Sequence, residues 1–170
     1  DLYGQLGIIR STVQMFIAVS SFGIGATATK YIAEYRNKDA GYAIKVYWIA
    51  TLFIAVMAVI AVCLLLLFSG YIANSMLNAP GIIGNLRVGA FILFFSLMNG
   101  AQSGALSGFE DFKHLSFSNI LNGILEIILL PLGAYLWGLS GAVLGFGSCF
   151  LLVFIYNTYH VNKNFKYTDI

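Results

Sequence analysis

Charge is scarce in this chain. Its 170 residues include 9 Lys or Arg and 7 Asp or Glu, 9% charged in all, against about 25% in an ordinary soluble domain. So few ions cannot hydrate the surface of a soluble protein of this size, which excludes a soluble enzyme and a disordered tail. A net charge of +2 excludes a nucleic-acid partner, which needs a dense basic face. Cysteine is scarce too. Cys63 and Cys149 lie inside apolar runs with no CxxC spacing, the setting of free thiols rather than of a disulfide or metal site. HExxH, P-loop and GxSxG motifs are absent. His114 and His160 are far apart in sequence, and the one adjacent carboxylate pair, Glu110-Asp111, reads with Lys113 as a hydrophilic turn. Nothing here calls for catalysis, a cofactor or a metal. No basic stretch precedes the first apolar run and no small-residue cleavage site follows it, so a signal peptide is not expected.

What the chain has is hydrophobic length. Hydrophobic residues make up 59% and the mean hydropathy is +0.85. Five runs approach the roughly 20 residues that cross a bilayer as helix: 11–29, 46–68, 88–109, 115–133 and 139–159. Alternation of apolar and polar residues is absent, which argues against a membrane barrel. Helices are then required, because unpaired backbone amides in lipid are too costly. The fold class expected is all-α, a polytopic transmembrane bundle. A start at Asp1 without methionine, and five spans, predict that 1–170 is a partial transmembrane domain whose remainder, in the same chain, lies outside this stretch.

The charges predict an orientation. Lys30, Arg36, Lys38 and Lys45 share the first connection with only Glu34 and Asp39; the next, Ser69 to Leu86, carries no charge. Lys113 marks the third connection, the fourth is neutral, and the tail carries Lys163 and Lys166. Basic and neutral loops alternate, so segments 30–45, 110–114 and 160–170 are expected on the cytoplasmic side of the inner membrane.

Three helices carry polar stripes. Arg10, Gln14, Ala18, Ser21, Gly25 and Thr29 share one face of the first, about 100° wide. Ser96, Asn99, Ser103 and Ser107 line the third, with Gln102 at the edge; Ser116, Asn119, Gly123 and Glu126 line the fourth, with Asn122 beside them. The second helix has only Thr51 and Cys63 and is expected to face lipid. Two readings stand for the stripes: interhelical hydrogen bonds or a water-filled cavity. Glu126, mid-span, is either a protonated or hydrogen-bonded packing residue or a cavity carboxylate for a proton, a sodium ion or a substrate. Arg10 either snorkels or holds an anion. Arg87 is expected to snorkel. Lys30, Glu34 and Arg36 lie at the cytoplasmic interface, with Glu34 able to pair with Lys30.

Glycine and proline add local expectations. Gly100, Gly104 and Gly108, and also Gly141 and Gly145, are spaced for close helix approach. Pro131, Gly133 and the turn-like 137–141 separate the last two helices, and Pro131 is expected to kink the fourth.

Two segments carry a resemblance. One runs from Tyr3-Gly4 through Arg10-Ser11-Thr12 and Gly23-Ile24-Gly25 to Ala28-Thr29-Lys30-Tyr31-Ile32-Ala33-Glu34-Tyr35-Arg36. The other is Leu106-Ser107-Gly108-Phe109-Glu110-Asp111-Phe112-Lys113. Together they resemble the polysaccharide-biosynthesis flippases, the O-antigen and lipid-linked oligosaccharide transporters of the MATE-like superfamily. The resemblance implies that the five helices are the second to sixth of a longer protein, within its N-terminal lobe. It also implies carriage of undecaprenyl-diphosphate-linked glycans between leaflets by alternating access. Arg10 is then the best diphosphate or sugar contact, with Lys30 and Arg87 next and Gln14, Asn99, Gln102 and Asn122 as polar lining. Glu126 is the candidate ion-coupling residue, for a proton or sodium. A cation-coupled multidrug antiporter of the same superfamily is the alternative, and a structural membrane subunit without transport a third.

Overall fold

The computed structural model describes residues 2–21, 24–76 and 80–168. Among them there is no strand. The helices are α1 (Leu2–Ser21), α2 (Ile24–Tyr35), α3 (Ala40–Tyr71), α4 (Ile83–Gly108) and α5 (Phe112–Thr168). A π-helical turn, Ile72–Met76, ends α3, and a 3-10 turn, Pro80–Ile82, leads into α4. The predicted first span, 11–29, crosses residues 22–23, which lie outside the described set, as do the side chains of Ser21 and Lys166.

Local chemistry sets the helix ends. Asp39 is extended (φ −151, ψ 92) and accepts from the Tyr42 amide at 2.9 Å, a capping bond that starts α3. α4 closes in a Schellman turn: Asp111 N–H donates to Leu106 O at 2.8 Å and Glu110 N–H to Ser107 O at 3.0 Å. Glu110 takes the left-handed position there, at φ 57, where glycine is usual. Asp111 then caps α5, accepting from the His114 amide at 3.3 Å.

α5 makes two passes. Its non-helical residues are Trp137 (φ −135, ψ 20) and Gly138 (φ 61, ψ −139). The second of these conformations is open essentially to glycine alone. There the chain reverses into an outgoing arm, 112–136, and a return arm, 139–168. His114 stacks on His160, and Phe117 meets Tyr156 with ring centroids 5.3 Å apart. A Cβ on Gly133 would strike the Gly141 carbonyl, and one on Gly145 the Leu129 carbonyl. The small residues at 133, 141 and 145 let the arms touch along their backbones. Pro131 sits inside the helix, and the break comes at Trp137-Gly138 instead. Of the expected break positions, the 137–141 stretch is the one where the chain reverses, because glycine supplies the dihedrals that a reversal needs.

α4 is the central strut and packs against the other four helices. Its glycine ridge seats α2. A Cβ on Gly104 would lie 2.8 Å from Gly25 O, and one on Gly108 2.7 Å from the Ile32 Cβ. Thr29 Oγ1 donates to both Gly25 O and Gly104 O at 2.8 Å. α3 is the outer wall. Its inward face is Ala43, Tyr47, Ile54, Ala58, Ala61 and Leu65. Its outward face is larger and as apolar, with Trp48, Ile49, Leu52, Phe53, Val56 and Val59 all exposed. A water-soluble protein buries such side chains; an apolar surface of this kind on a helix long enough to cross a membrane is suited to lipid. Ala40–Ser75, Ile83–Gly108 and Phe112–Phe165 are each long and apolar enough to cross a membrane, the last of them folded back on itself.

Candidate functional site: an arginine–glutamate pair between two helices

Arg10 and Glu126 find each other. The Arg10 Nη1 lies 2.8 Å from Glu126 Oε1, and the guanidinium carbon sits 4.9 Å over the Phe146 ring. Three segments meet here: α1 brings Arg10, the outgoing arm of α5 Glu126, and the return arm Phe146. Leu6, Ile9 and Val13 are buried on the other face of α1, where Val13 and Ile9 pack against Gly89. That anchoring turns Arg10 towards α5. From Glu126 to Trp137 is roughly 16 Å of helix and to Phe112 roughly 21 Å, so Glu126 lies near the middle of an arm long and apolar enough to cross a membrane. There an ion without a partner is expensive, and each of these neutralises the other.

The pair is not sealed: the side chains retain 44% and 24% of their surface. Gln14, one turn along the same face of α1, is exposed as well. Arg10, Gln14 and Glu126 therefore share an open polar face of the bundle.

The remaining predicted residues go elsewhere. Asn99 and Gln102 are buried at 7% and 2% exposure. Asn99 Nδ2 donates to Phe150 O at 2.8 Å, and Gln102 Nε2 to Thr158 Oγ1 at 2.5 Å. Both join α4 to the return arm, so the structure uses them as interhelical hydrogen bonds rather than as cavity lining. Asn122 is half-buried, its Oδ1 unbonded within the protein. Arg87 donates through Nε to Ser69 Oγ at 3.3 Å, at the opposite end of the bundle from Lys30. Lys30 is exposed, its ammonium 5.7 Å over the Tyr31 ring. Glu34 pairs with Lys38 at 3.3 Å and not with Lys30, because the turn after Tyr35 brings Lys38 back beside it.

A second polar cluster ties the basic segments together at one end. Arg36 Nη2 meets Glu110 Oε2 at 2.5 Å and Nη1 donates to Phe109 O at 2.9 Å. Asp111 Oδ1 lies 2.6 Å from His114 Nδ1, and Asn164 Nδ2 donates to Asp111 Oδ2 at 2.8 Å. Burial pushes the Asp111 carboxyl up, but the bonds from Asn164 and His114 outweigh it and leave the carboxyl below its usual range. His114 and His160, far apart in sequence, stack at 3.7 Å. Sequence reasoning missed that stack; its one trace was that both fall at predicted interfaces. The far end, where Ser140 Oγ donates to Asn85 Oδ1 at 2.7 Å, holds the charge-free connections.

Arg36 ends the first segment singled out in the sequence and Glu110 lies within the second, and here they touch. A family model described as polysaccharide biosynthesis protein matches residues 1–169. The chain belongs to the polysaccharide biosynthesis protein family. It is a membrane protein of that family, an all-α bundle of apolar helices. No curated protein and no solved structure matches it. Within the family assignment, the Arg36–Glu110 contact gives the two segments a shared structural role: they lock α2 to the α4–α5 turn.

Proposed function

We propose that the chain is part of a flippase that moves a diphosphate-linked oligosaccharide lipid across the cytoplasmic membrane by alternating access, for cell-surface polysaccharide biosynthesis. The observation that carries this reading is the open Arg10–Glu126 pair inside the span. A guanidinium is planar, permanently charged and able to grip two oxygens at once, which suits a diphosphate. In the empty lobe Glu126 fills that position as an internal anion. An entering diphosphate displaces the carboxylate from Arg10, Gln14 donates to the glycan or phosphate beside it, and the freed Glu126 takes up a proton or a sodium ion. Substrate entry and cation uptake then happen at one pair. The open face of α1 and α5 looks towards a second lobe, and the basic end faces the cytoplasm. A multidrug antiporter would need the carboxylate free for a cation, whereas here a guanidinium already holds it.

The test is Arg10→Ala in the intact protein. Surface polysaccharide should vanish, with lipid-linked repeat units held on the cytoplasmic leaflet and membrane insertion unchanged. Normal surface polymer in that variant would overturn the reading.

A further inference from the structure

At the basic end, an open groove of about 550 Å³ lies along the seam between the two arms of α5. Lys113, His114 and His160 line it together with Phe117, Ile120 and Tyr156. The transport reading uses none of these. We infer that this groove binds the phosphate headgroup of an anionic phospholipid.

The charge is of the right sign and in the right place. Lys113 is exposed, and Lys163 lies one turn beyond His160 on the return arm. The carboxylate nearest the groove, Asp111, does not face an incoming anion bare, since His114 and Asn164 hold its two oxygens. His160 Nδ1 is buried with no hydrogen-bond partner, in a ring stacked on His114 and tilted against Tyr156 at 4.5 Å. An unpartnered nitrogen beside a cationic side chain is a donor position for a phosphate oxygen, since even the neutral imidazole carries one N–H.

The apolar lining selects a lipid over a free anion. Phe117, Ile120, Ile124 and Ile128 are about half exposed, at 51%, 59%, 51% and 54%. At these spacings they form one ridge on the outgoing arm, running from the groove towards the middle of the span. An acyl chain laid on that ridge brings its headgroup to Lys113 and His160. Tyr156 sits at the junction, where an amphipathic ring is at home between tail and headgroup. Basic pockets between transmembrane helices recognise anionic headgroups by this combination.

The experiment is native mass spectrometry of the full chain, released from bilayers of equal parts phosphatidylglycerol and phosphatidylcholine. The protein should retain phosphatidylglycerol in preference. Lys113→Gln, at an exposed position, should weaken that retention about five-fold, the usual worth of one basic residue near a membrane surface. His160→Phe keeps the ring stack and loses the nitrogen, and should weaken it as well; circular dichroism checks that both variants stay helical. Arg10→Ala, at the distant pair, should leave retention unchanged, which separates this site from the transport reading. Equal retention of both lipids, or unchanged preference in both groove variants, would overturn the inference. So would displacement of phosphatidylglycerol by inorganic phosphate alone, which would make the site a reader of free anion.

Discussion

Arg36 reaches Glu110 at 2.5 Å while Glu110 holds a left-handed backbone at φ 57. The side chain that makes the ion pair is thus carried on a conformation it adopts at a cost of about 1–2 kcal/mol. The Schellman turn asks for glycine, and the contact with α2 asks for a carboxylate.

Two substitutions separate those demands. Glu110→Gly relieves the backbone and loses the pair, which is half exposed on the Glu110 side and worth about 0.2–1 kcal/mol; its stability should stay within about 1 kcal/mol of the parent. Glu110→Ala keeps the strain and also loses the pair, so it should be the less stable of the two. Unfolding in mixed micelles checks the order, and an alanine variant more stable than the glycine variant would refute the strain argument.

At the Arg10–Glu126 pair, removing one partner leaves the other ion unbalanced within the span. Glu126→Ala or Arg10→Ala should each destabilise by about 2–3 kcal/mol, the scale of a lone charge at the centre of a spanning helix. The double variant should cost less than the sum of the two. Simple additivity in the cycle would mean that the contact carries no coupling.

The glycines of α4 divide by what a methyl group would meet. Gly104→Ala and Gly108→Ala push against Gly25 O and the Ile32 Cβ, and each should cost about 1–3 kcal/mol. Gly100→Ala meets nothing within 4 Å and should stabilise, by about 0.5–1 kcal/mol, through helix propensity. Thermal unfolding of the three variants in one detergent tests the contrast.

Acid should act on the Asp111 cap. Its carboxyl titrates below the ordinary value of 3.8, so the unfolded chain takes up protons first as pH falls. The stabilisation is fully present above that ordinary value. It is lost as pH drops below it and through the lower folded value. Asp111→Asn should remove this part of the acid sensitivity while leaving stability near neutral pH lower than in the parent. The slope of stability against pH below about pH 4 is the measurement, and an unchanged slope in the variant would count against the cap's role.

Much of the bundle could be read along the chain. A stretch such as 46–68 needs only its own backbone to satisfy its hydrogen bonds in lipid, so its helical state follows from composition. The helices run past those apolar runs, α3 back to Ala40 and α5 on to Thr168, because capping by Asp39 and continued backbone bonding extend them into the interface. The reversal within α5 was harder to place. Pro131 and the 137–141 stretch both signalled a break, and only the dihedrals at Gly138 show which one the chain uses.

The site divides in the same way. Arg10 and Glu126 were each conspicuous as ions in apolar surroundings, a property of composition alone. That they neutralise each other depends on how α1 is rotated by Ile9 and Val13 against Gly89, and on the depth at which α5 turns back. Asn99 and Gln102 share a polar stripe, but whether a stripe faces water or another helix is a matter of packing, and here Phe150 and Thr158 receive them. His114 and His160 met only because α5 folds into a hairpin. Helicity, membrane-spanning length and the sorting of charge between the two ends were all legible in the amino-acid order, since they follow from local hydrogen bonding and transfer energies. The tertiary structure decided which ions pair and which polar groups stay open, because those outcomes depend on the rotation and depth of helices far apart along the chain.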